Sequence, residues 1–460
     1  MNDASFAPFE RRMRDEGLPE PAIAAFRQAY EQLRAGERGL LPDAALEPVA
    51  EVESAEALRG TTSAGREALP RTAVIKLNGG LGTSMGMTRA KSLLVVKEGQ
   101  SFLDVIARQI LELRKREGAA VPLLLMNSFR TRQDSCRKLA PYGDLAAGLP
   151  PDFLQHKVPR ILAEDLSPVS WPDDPAHEWC PPGHGDIYTA LGTSGVLEAL
   201  LARGFRTAFA SNADNLGAVL DLDILGWFVA SGAPFAMEVK ERTEADRKGG
   251  HLARLRDGRL ALREIAQCPD ADRPRFEDVR RHRFFNTNNL WLDLPSLSRA
   301  LEDQGGVLHL PLIRNEKTVD PADEDSPRVI QLETAMGAAI SVFPGARALR
   351  VPARRFSPVK TTNDLLAVRS DAFERTEDWR VVPTPEAEAL VVDLDPAFYK
   401  RIDDFEARFP GGAPSLRRCR RLRVRGDFRF GRGVVVEGQV SLEARGPDPE
   451  TIPDGARLSG

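Results

Sequence analysis

Apolar and polar positions along the chain keep the two periods that separate helix from strand. In "PAIAAFRQAYEQLRAGERG" the side chains of Ile23, Phe26, Tyr30 and Leu33 recur three to four residues apart, the stripe of an amphipathic helix. Residues 1 to about 70 therefore read as a helical segment, ending in a stretch rich in Glu, Ala and Gly from Glu51 to Ala68. From Arg71 the pattern changes. "TAVIKL" and "PLLLMN" are short continuous apolar runs of the kind buried on both faces of a sheet. Between them "FLDVIARQILELRKREG" sets Leu103, Ile106, Ile110 and Leu113 on one helical face, and Gly118 stands where such a helix stops. Strand, helix and strand with a crossover of this length predict a parallel sheet covered by helices. The alternation continues through "FRTAFASNADN", "LDILGWFVASG", "FAMEVKE" and "RFFNTNNLWLDL".

The tail differs. In "LRVRGDFRFGRGVVVEGQVSLEARG" the apolar residues Leu422, Val424, Phe428, Phe430, Val434, Val436, Val440 and Leu442 alternate with polar ones. Glycines at 426, 431, 433 and 438 mark corners, which favours the short rungs of a β-solenoid over a small β-sandwich. The expected organisation is a helical segment (1–70), an α/β domain with a mixed, mostly parallel sheet (71–380) and a β-rich tail (381–460).

Length supports this division, because 460 residues exceed what one compact core holds. A formal charge of −4 argues against a general nucleic-acid or membrane-surface binder, which needs clustered excess cation. Cys136, Cys180, Cys268 and Cys419 lie far apart, a spacing that gives neither a zinc site nor a disulfide framework. The opening "MNDASFAPFERRMRDEG" carries charge where a signal peptide has an apolar core, and no run approaches a membrane span. A cytoplasmic protein is expected.

The chemistry concentrates in "VIKLNGGLGTSMGMTRAKSLLVV". Gly80, Gly82 and Gly86 are spaced one residue too wide for a dinucleotide loop, and Lys91-Ser92 follows Ala90 rather than the Gly of a Walker A loop. Gly82 to Gly86 fits G-x-S-x-G, but a nucleophile elbow needs its strand to run into the serine, and here Asn78 to Leu81 intervene. What remains is a loop at the carboxyl edge of the first strand, where open α/β sheets bind ligands. With no side chains at Gly79, Gly80 and Gly82, backbone N–H groups can close on phosphate oxygens, and Lys91 adds a point charge. Nucleotide binding follows as the working reading.

This segment closely resembles the eukaryotic-type UTP–glucose-1-phosphate uridylyltransferases (UDP-glucose pyrophosphorylases), whose signature is L-x-G-G-L-G-T-x-M-G followed by K-S-L. The blocks "PLLLMNSF", "FLQHKVPRI", "PPGHGDIY", "SNADNLGA", "KGG", "FNTNNLW", "QLETAMGAAI" and "RFSPVKTTNDLL" agree in order, from about Leu40 to Asp364. The resemblance implies a Rossmann-like nucleotide-diphospho-sugar transferase domain of GT-A type, with a C-terminal β-helix through which copies could associate. Two departures stand out. Arg89-Ala90 replaces the family's usual Gly-Pro, and Ser84 stands where distant relatives carry an Arg, so Arg89 or Lys91 must supply that charge.

The implied reaction joins UTP and glucose 1-phosphate, releasing pyrophosphate, with Mg²⁺ as cofactor. By resemblance UTP lies against Leu77, Asn78, Gly79, Gly80, Lys91, Gln155, Gly183, Asn212 and Lys360. Glucose 1-phosphate meets His184, Asn212, Asp214, Asn286 and Asn288, and Lys91 and Lys360 are the catalytic lysines. Asp214 closes an apolar strand, and a single carboxylate there suits Mg²⁺, a hard cation that shares its coordination with phosphate oxygens. An amide such as Gln155 offers the donor and acceptor that a uracil edge requires. Asn286 and Asn288 are expected on one strand face, with Thr287 and Asn289 on the other. Thr361 and Thr362 either orient Lys360 or cap the helix that follows. A sugar-nucleotide binder without catalysis is the competing class; it has no need of Lys91, Asp214 and Lys360 together.

Overall fold

The computed structural model describes residues 5–320, 323–446 and 448–460; the first four residues of the expected helical segment lie outside them. Ten strands form the central sheet: β1 (Leu46–Pro48), β2 (Thr72–Asn78), β3 (Leu123–Asn127), β4 (Asp152–Leu154), β5 (Thr207–Asn212), β6 (Phe235–Glu241), β7 (His251–Leu255), β8 (Leu260–Arg263), β9 (Phe284–Asp293) and β10 (Arg347–Arg350). Their order is β1-β7-β9-β5-β2-β3-β4, with β6 paired to β9 and β10, and β8 to β7. The run β5-β2-β3-β4 is parallel, as is β6 with β10. β9 runs antiparallel to both β5 and β6. Strand direction thus changes beside β5, and the parallel pairing of β2 with β5 sets their carboxyl ends side by side.

The apolar runs explain the placement. Every residue of β2 and β3 is buried, as a strand covered on both faces must be. The crossover helix between them, Phe102–Glu117, starts on a Ser101–Asp104 capping box and stops at Gly118, φ +66°. One apolar layer packs this helix and Leu222–Ser231 against the sheet. The opposite layer packs Ile187–Thr193, Val196–Ala202 and Leu294–Asp303.

The N-terminal reading needs one correction. Ala7–Asp15, Glu20–Arg34 and Thr62–Ala68 are helices, but Leu46–Pro48 enters the central sheet as an edge strand, paired with β7. Three residues carry too little periodicity to show this. Phe6, just before the first helix, and Phe9, Phe26 and Tyr30 of the first two helices share a core with Cys180, Leu312 and Leu332, so these helices brace the loop that follows Cys180.

In the tail, Val391–Asp393, Cys419–Arg425, Val435–Glu443 and Arg457–Ser459 pair in that order, every pair parallel. Phe428–Phe430 and Glu450–Ile452 pair in the same sense. Leu422, Val424, Phe428, Phe430, Val434 and Val436 point inward and join the cluster of the central sheet. The tail thus shares a core with the central sheet. No helix among the described residues is long and apolar enough to cross a membrane. All four cysteines are free thiols, and only Cys136 is exposed.

Candidate functional site

The glycine loop leaves β2 at Asn78 and returns on itself. Lys91 N–H donates to the Gly80 carbonyl at 3.1 Å, and Met85 N–H to that of Gly82 at 2.8 Å. Gly82 and Gly86 hold φ +68° and +70°, conformations that L side chains rarely adopt. The loop borders an open cleft of about 830 Å³ that it shares with Leu77, Gln155, Gly183, His184, Asn212 and Asp214. Ten of the thirteen positions singled out in the sequence thus meet in one place: Leu77, Asn78, Gly79, Gly80, Lys91, Gln155, Gly183, His184, Asn212 and Asp214.

Across the cleft, Lys91 Nζ donates to Asp214 Oδ2 at 2.6 Å. The other carboxylate oxygen, Oδ1, is buried with no hydrogen-bond partner. Such an orphan is costly unless a ligand completes it. The turn bearing Asp214 is tied to β2 by Ala213 N–H on the Leu77 carbonyl, 3.0 Å. Asn78 contributes differently from Gly79 and Gly80, because its side-chain amide donates to Asn127 Oδ1 and Ser135 Oγ, both 2.7 Å. Only its main chain is left for the cleft.

The opposite wall is "PPGHGD". Gly183 holds φ +81°, and its carbonyl accepts from Gln155 Nε2 at 2.9 Å. The loop lies on the strand Arg328–Thr334, where Thr334 N–H donates to the Pro182 carbonyl at 2.9 Å. His184 Nδ1 accepts the Met336 N–H at 2.9 Å, which fixes the proton on Nε2 and leaves that N–H to a ligand. Loss of water around the ring pushes its pKa down to about 4, so near neutral pH it is an uncharged donor.

Lys360 lies outside this cleft. Its backbone continues the segment whose Val359 N–H donates to the Asp214 carbonyl at 3.2 Å. Its own carbonyl accepts from Ser84 Oγ of the glycine loop at 3.4 Å. The side chain is exposed and borders a second cleft of about 1650 Å³, along with Lys248, Gly249 and Arg354. Thr361 caps the helix Thr362–Arg369 through a box with Asp364, which also accepts the Lys360 N–H at 2.8 Å. Capping, the alternative left open by the sequence, is thus what Thr361 does.

Asn286 and Asn288 stand apart from the ten. Strict alternation fails, because β9 shifts register opposite Glu238 and Val239 and Asn288 turns to φ +56°. The bulge lets the two amides bond each other: Asn286 Nδ2 donates to Asn288 Oδ1 at 2.8 Å, and Asn288 N–H to Asn286 Oδ1 at 2.9 Å. Asn286 is buried and Asn288 half-buried.

Three contributors escaped the sequence reading. Ser92, next to Lys91, borders the cleft with a buried hydroxyl that lacks a partner. Lys76 sits buried under the Asp214 turn. Glu238 and Arg355 form a fully buried two-point ion pair, 2.7 and 2.8 Å, that also holds Asn289 and Trp291. A lysine inside "TAVIKL" was the available signal for the second; the others depend on long-range contacts.

An α/β sheet with a bare glycine loop and a lysine–carboxylate pair where strand direction changes defines a protein built to hold an anionic ligand at the carboxyl ends of parallel strands. The comparisons narrow the class. A family model described as UTP–glucose-1-phosphate uridylyltransferase matches residues 23–437. The enzyme of that name from Solanum tuberosum is 40% identical over 398 residues, covering 86% of this chain and 81% of its own. That from Saccharomyces cerevisiae is 40% identical over 397 residues, covering 85% and 77%. A crystal structure of a mutant UDP-glucose pyrophosphorylase from Leishmania major in complex with UDP-glucose superposes with TM-score 0.93 at 43% identity, covering 100% of this chain and 99% of that one. A Trypanosoma brucei structure described as a UDP-glucose phosphorylase gives 0.92 at 43% identity, covering 99% and 98%. The chain belongs to the UTP–glucose-1-phosphate uridylyltransferase family.

Proposed function

We propose that this enzyme transfers uridylyl from UTP to glucose 1-phosphate, giving UDP-glucose and pyrophosphate. The observation that carries the reading is the convergence of the glycine loop, Lys91, Asp214, Gln155 and His184 on one cleft, in a chain 43% identical along its length to a UDP-glucose-bound relative.

A phosphate oxygen of the sugar phosphate attacks the α-phosphorus of UTP, and the bond to the pyrophosphate oxygen breaks on the opposite side. The attacking group is already an anion, so no protein nucleophile is needed; the barrier is repulsion between two anions and their alignment. Backbone N–H groups of Gly79 and Gly80 and the Lys91 ammonium offset that charge. His184 Nε2–H donates to the sugar phosphate without adding charge. Gln155 reads the uracil edge with Gly183 against the base, Asn212 holds phosphate from the Asp214 turn, and Lys360 meets charge gathering at the α-phosphate. Asn286 and Asn288, already paired, offer their remaining donors and acceptors to the sugar hydroxyls.

Mg²⁺ fits this site. The unpartnered Asp214 Oδ1 would supply one carboxylate oxygen, which suits a hard cation that shares its coordination with phosphate oxygens. Bound there, the ion would neutralise phosphate charge, leaving positioning to the residues above.

The parallel rungs of the tail support its reading as a short β-helix, and the terminal strand Arg457–Ser459 offers an open edge through which copies associate. Sedimentation velocity on the full chain tests this; a monomer at micromolar concentration removes the association. Free thiols suit a reducing compartment, which favours the cytoplasm. The decisive assay for function supplies UTP, Mg²⁺ and a panel of sugar 1-phosphates and follows pyrophosphate. Release with glucose 1-phosphate above the others is expected. UDP-glucose binding without release would make the chain a sensor, and equal rates across the panel would make it a broad UDP-sugar pyrophosphorylase.

A further inference from the structure

Lys76 is the one charged residue in β2, and it is 2% exposed. Its Nζ donates to Ser211 Oγ and to the Ala218 carbonyl, each at 2.7 Å, and lies 5.8 Å from the Phe209 ring centre. Ser211 and Ala218 are the two ends of the segment that carries Asn212 and Asp214. Inside that segment the backbone bonds from Asn215 to Asn212 and from Ala218 to Asn215 are long, both 3.3 Å. Other supports lie alongside: Asn215 Nδ2 donates to the carbonyl of Arg355, which is locked onto Glu238, Ser357 N–H donates to Asn215 Oδ1 and Gln109 Nε2 to the Leu216 carbonyl, all at 3.0 Å. The Ala213 and Val359 bonds described above hold the turn between its ends. Desolvating an ammonium is expensive, and an apolar side chain would fill the same space more stably. A buried hydrogen-bond donor kept here serves geometry.

We propose that Lys76 is a positioning residue for uridylyl transfer, tying the far end of the Asp214 loop at Ala218 to strand β5 at Ser211 so that the Asp214 carboxylate faces Lys91. The proposal rests on the reading that Asp214 works in the cleft. Lys76 does not touch the substrates; it acts through the loop. The charged groups around it are Arg355, Glu238 and Asp214, and Arg116 and Asp378 border the groove on its outer side. Burial, helped by Arg355, pushes its pKa down to about 7 against the pull of Glu238 and Asp214. A neutral amine still has two N–H groups to donate, so the clamp survives loss of the proton. Removing the nitrogen is therefore the test, not changing pH.

In the full-length enzyme, Lys76→Met is expected to speed hydrogen–deuterium exchange across residues 213–218 by at least about tenfold, leaving the central strands unaffected. The kcat for pyrophosphate release should fall by about tenfold to a hundredfold, the cost of a carboxylate misplaced by about 1 Å. Added to Asp214→Asn, Lys76→Met should cost less than about threefold more, because both act on the same group. Unchanged loop exchange, or losses that multiply in the double variant, would overturn the proposal. Should Lys76→Met not fold, Ser211→Ala removes one anchor and leaves the core charge in place; faster loop exchange with lowered kcat supports the clamp, and wild-type values sink it. Asp214→Asn with unaltered kcat and Mg²⁺ titration would refute the role of Asp214 alone, since the exchange rates still decide whether Lys76 holds the loop.

Discussion

Gly183 offers the sharpest test of the cleft wall. A Cβ placed there lies 2.7 Å from the Thr334 backbone nitrogen and nearer still to its carbonyl oxygen. A main chain inside a strand does not swing aside as a flexible side-chain tip does, so the loop itself must retreat by about 1 Å to reach ordinary contact. Gly183 pairs φ +81° with ψ 168°, a region essentially confined to glycine, so any L side chain adds strain of roughly 1–3 kcal/mol. Retreat moves His184 and strains the 2.9 Å bond from Gln155 to the Gly183 carbonyl. Displacing a positioning group by 1 Å costs on the order of a hundredfold in rate. Gly183→Ala should therefore lower kcat/KM for UTP about a hundredfold in a coupled pyrophosphate assay, while the strain lowers the melting temperature by only a few degrees, roughly. Gly204→Ala is the control for a side chain placed at positive φ: its φ is +82° with nothing within 4 Å, so no collision accompanies the substitution. Activity of Gly183→Ala within about threefold of the parent, or equal losses in the two variants, would refute the reasoning.

Lys360→Ala should lower kcat far more than it weakens UTP binding, because the charge acts as bond order changes; unchanged kcat in single-turnover experiments removes that role. Asp214→Asn should raise the Mg²⁺ concentration for half-maximal rate by about tenfold, a coupling of about 1.4 kcal/mol, and an unshifted titration takes Asp214 out of the metal site. Burial pushes His184 and His282 down to about 4. The folded state then binds fewer protons than the unfolded one between about pH 6.5 and 4, so stability is full above that window and falls as pH drops through it. Thermal melts from pH 7 to 4 should show the loss, smaller in His282→Gln; identical slopes for parent and variant would contradict it.

Which parts were legible in the sequence follows from how local each constraint is. The glycine loop was readable because bare backbone and a following lysine occupy adjacent positions. Gly118 and the Ser101–Asp104 box likewise act within a turn of their helix. The hydrogen bonding of Asn286 to Asn288 was not legible, because the bulge behind it depends on the partner strand, where the register shifts between Glu238 and Val239. The clamp by Lys76 was invisible for the same reason, since Ser211 and Ala218 are more than a hundred residues away in the chain. Leu46–Pro48 became a strand only through pairing with β7.

Crystals grown with UDP-glucose test the central claim most directly. The diphosphate is expected against the main chain of Gly79 and Gly80 and within about 3 Å of Lys91 Nζ, ordinary hydrogen-bond reach, with uracil beside Gln155 and Gly183. Density for the nucleotide elsewhere, with that cleft holding only solvent, would contradict the account.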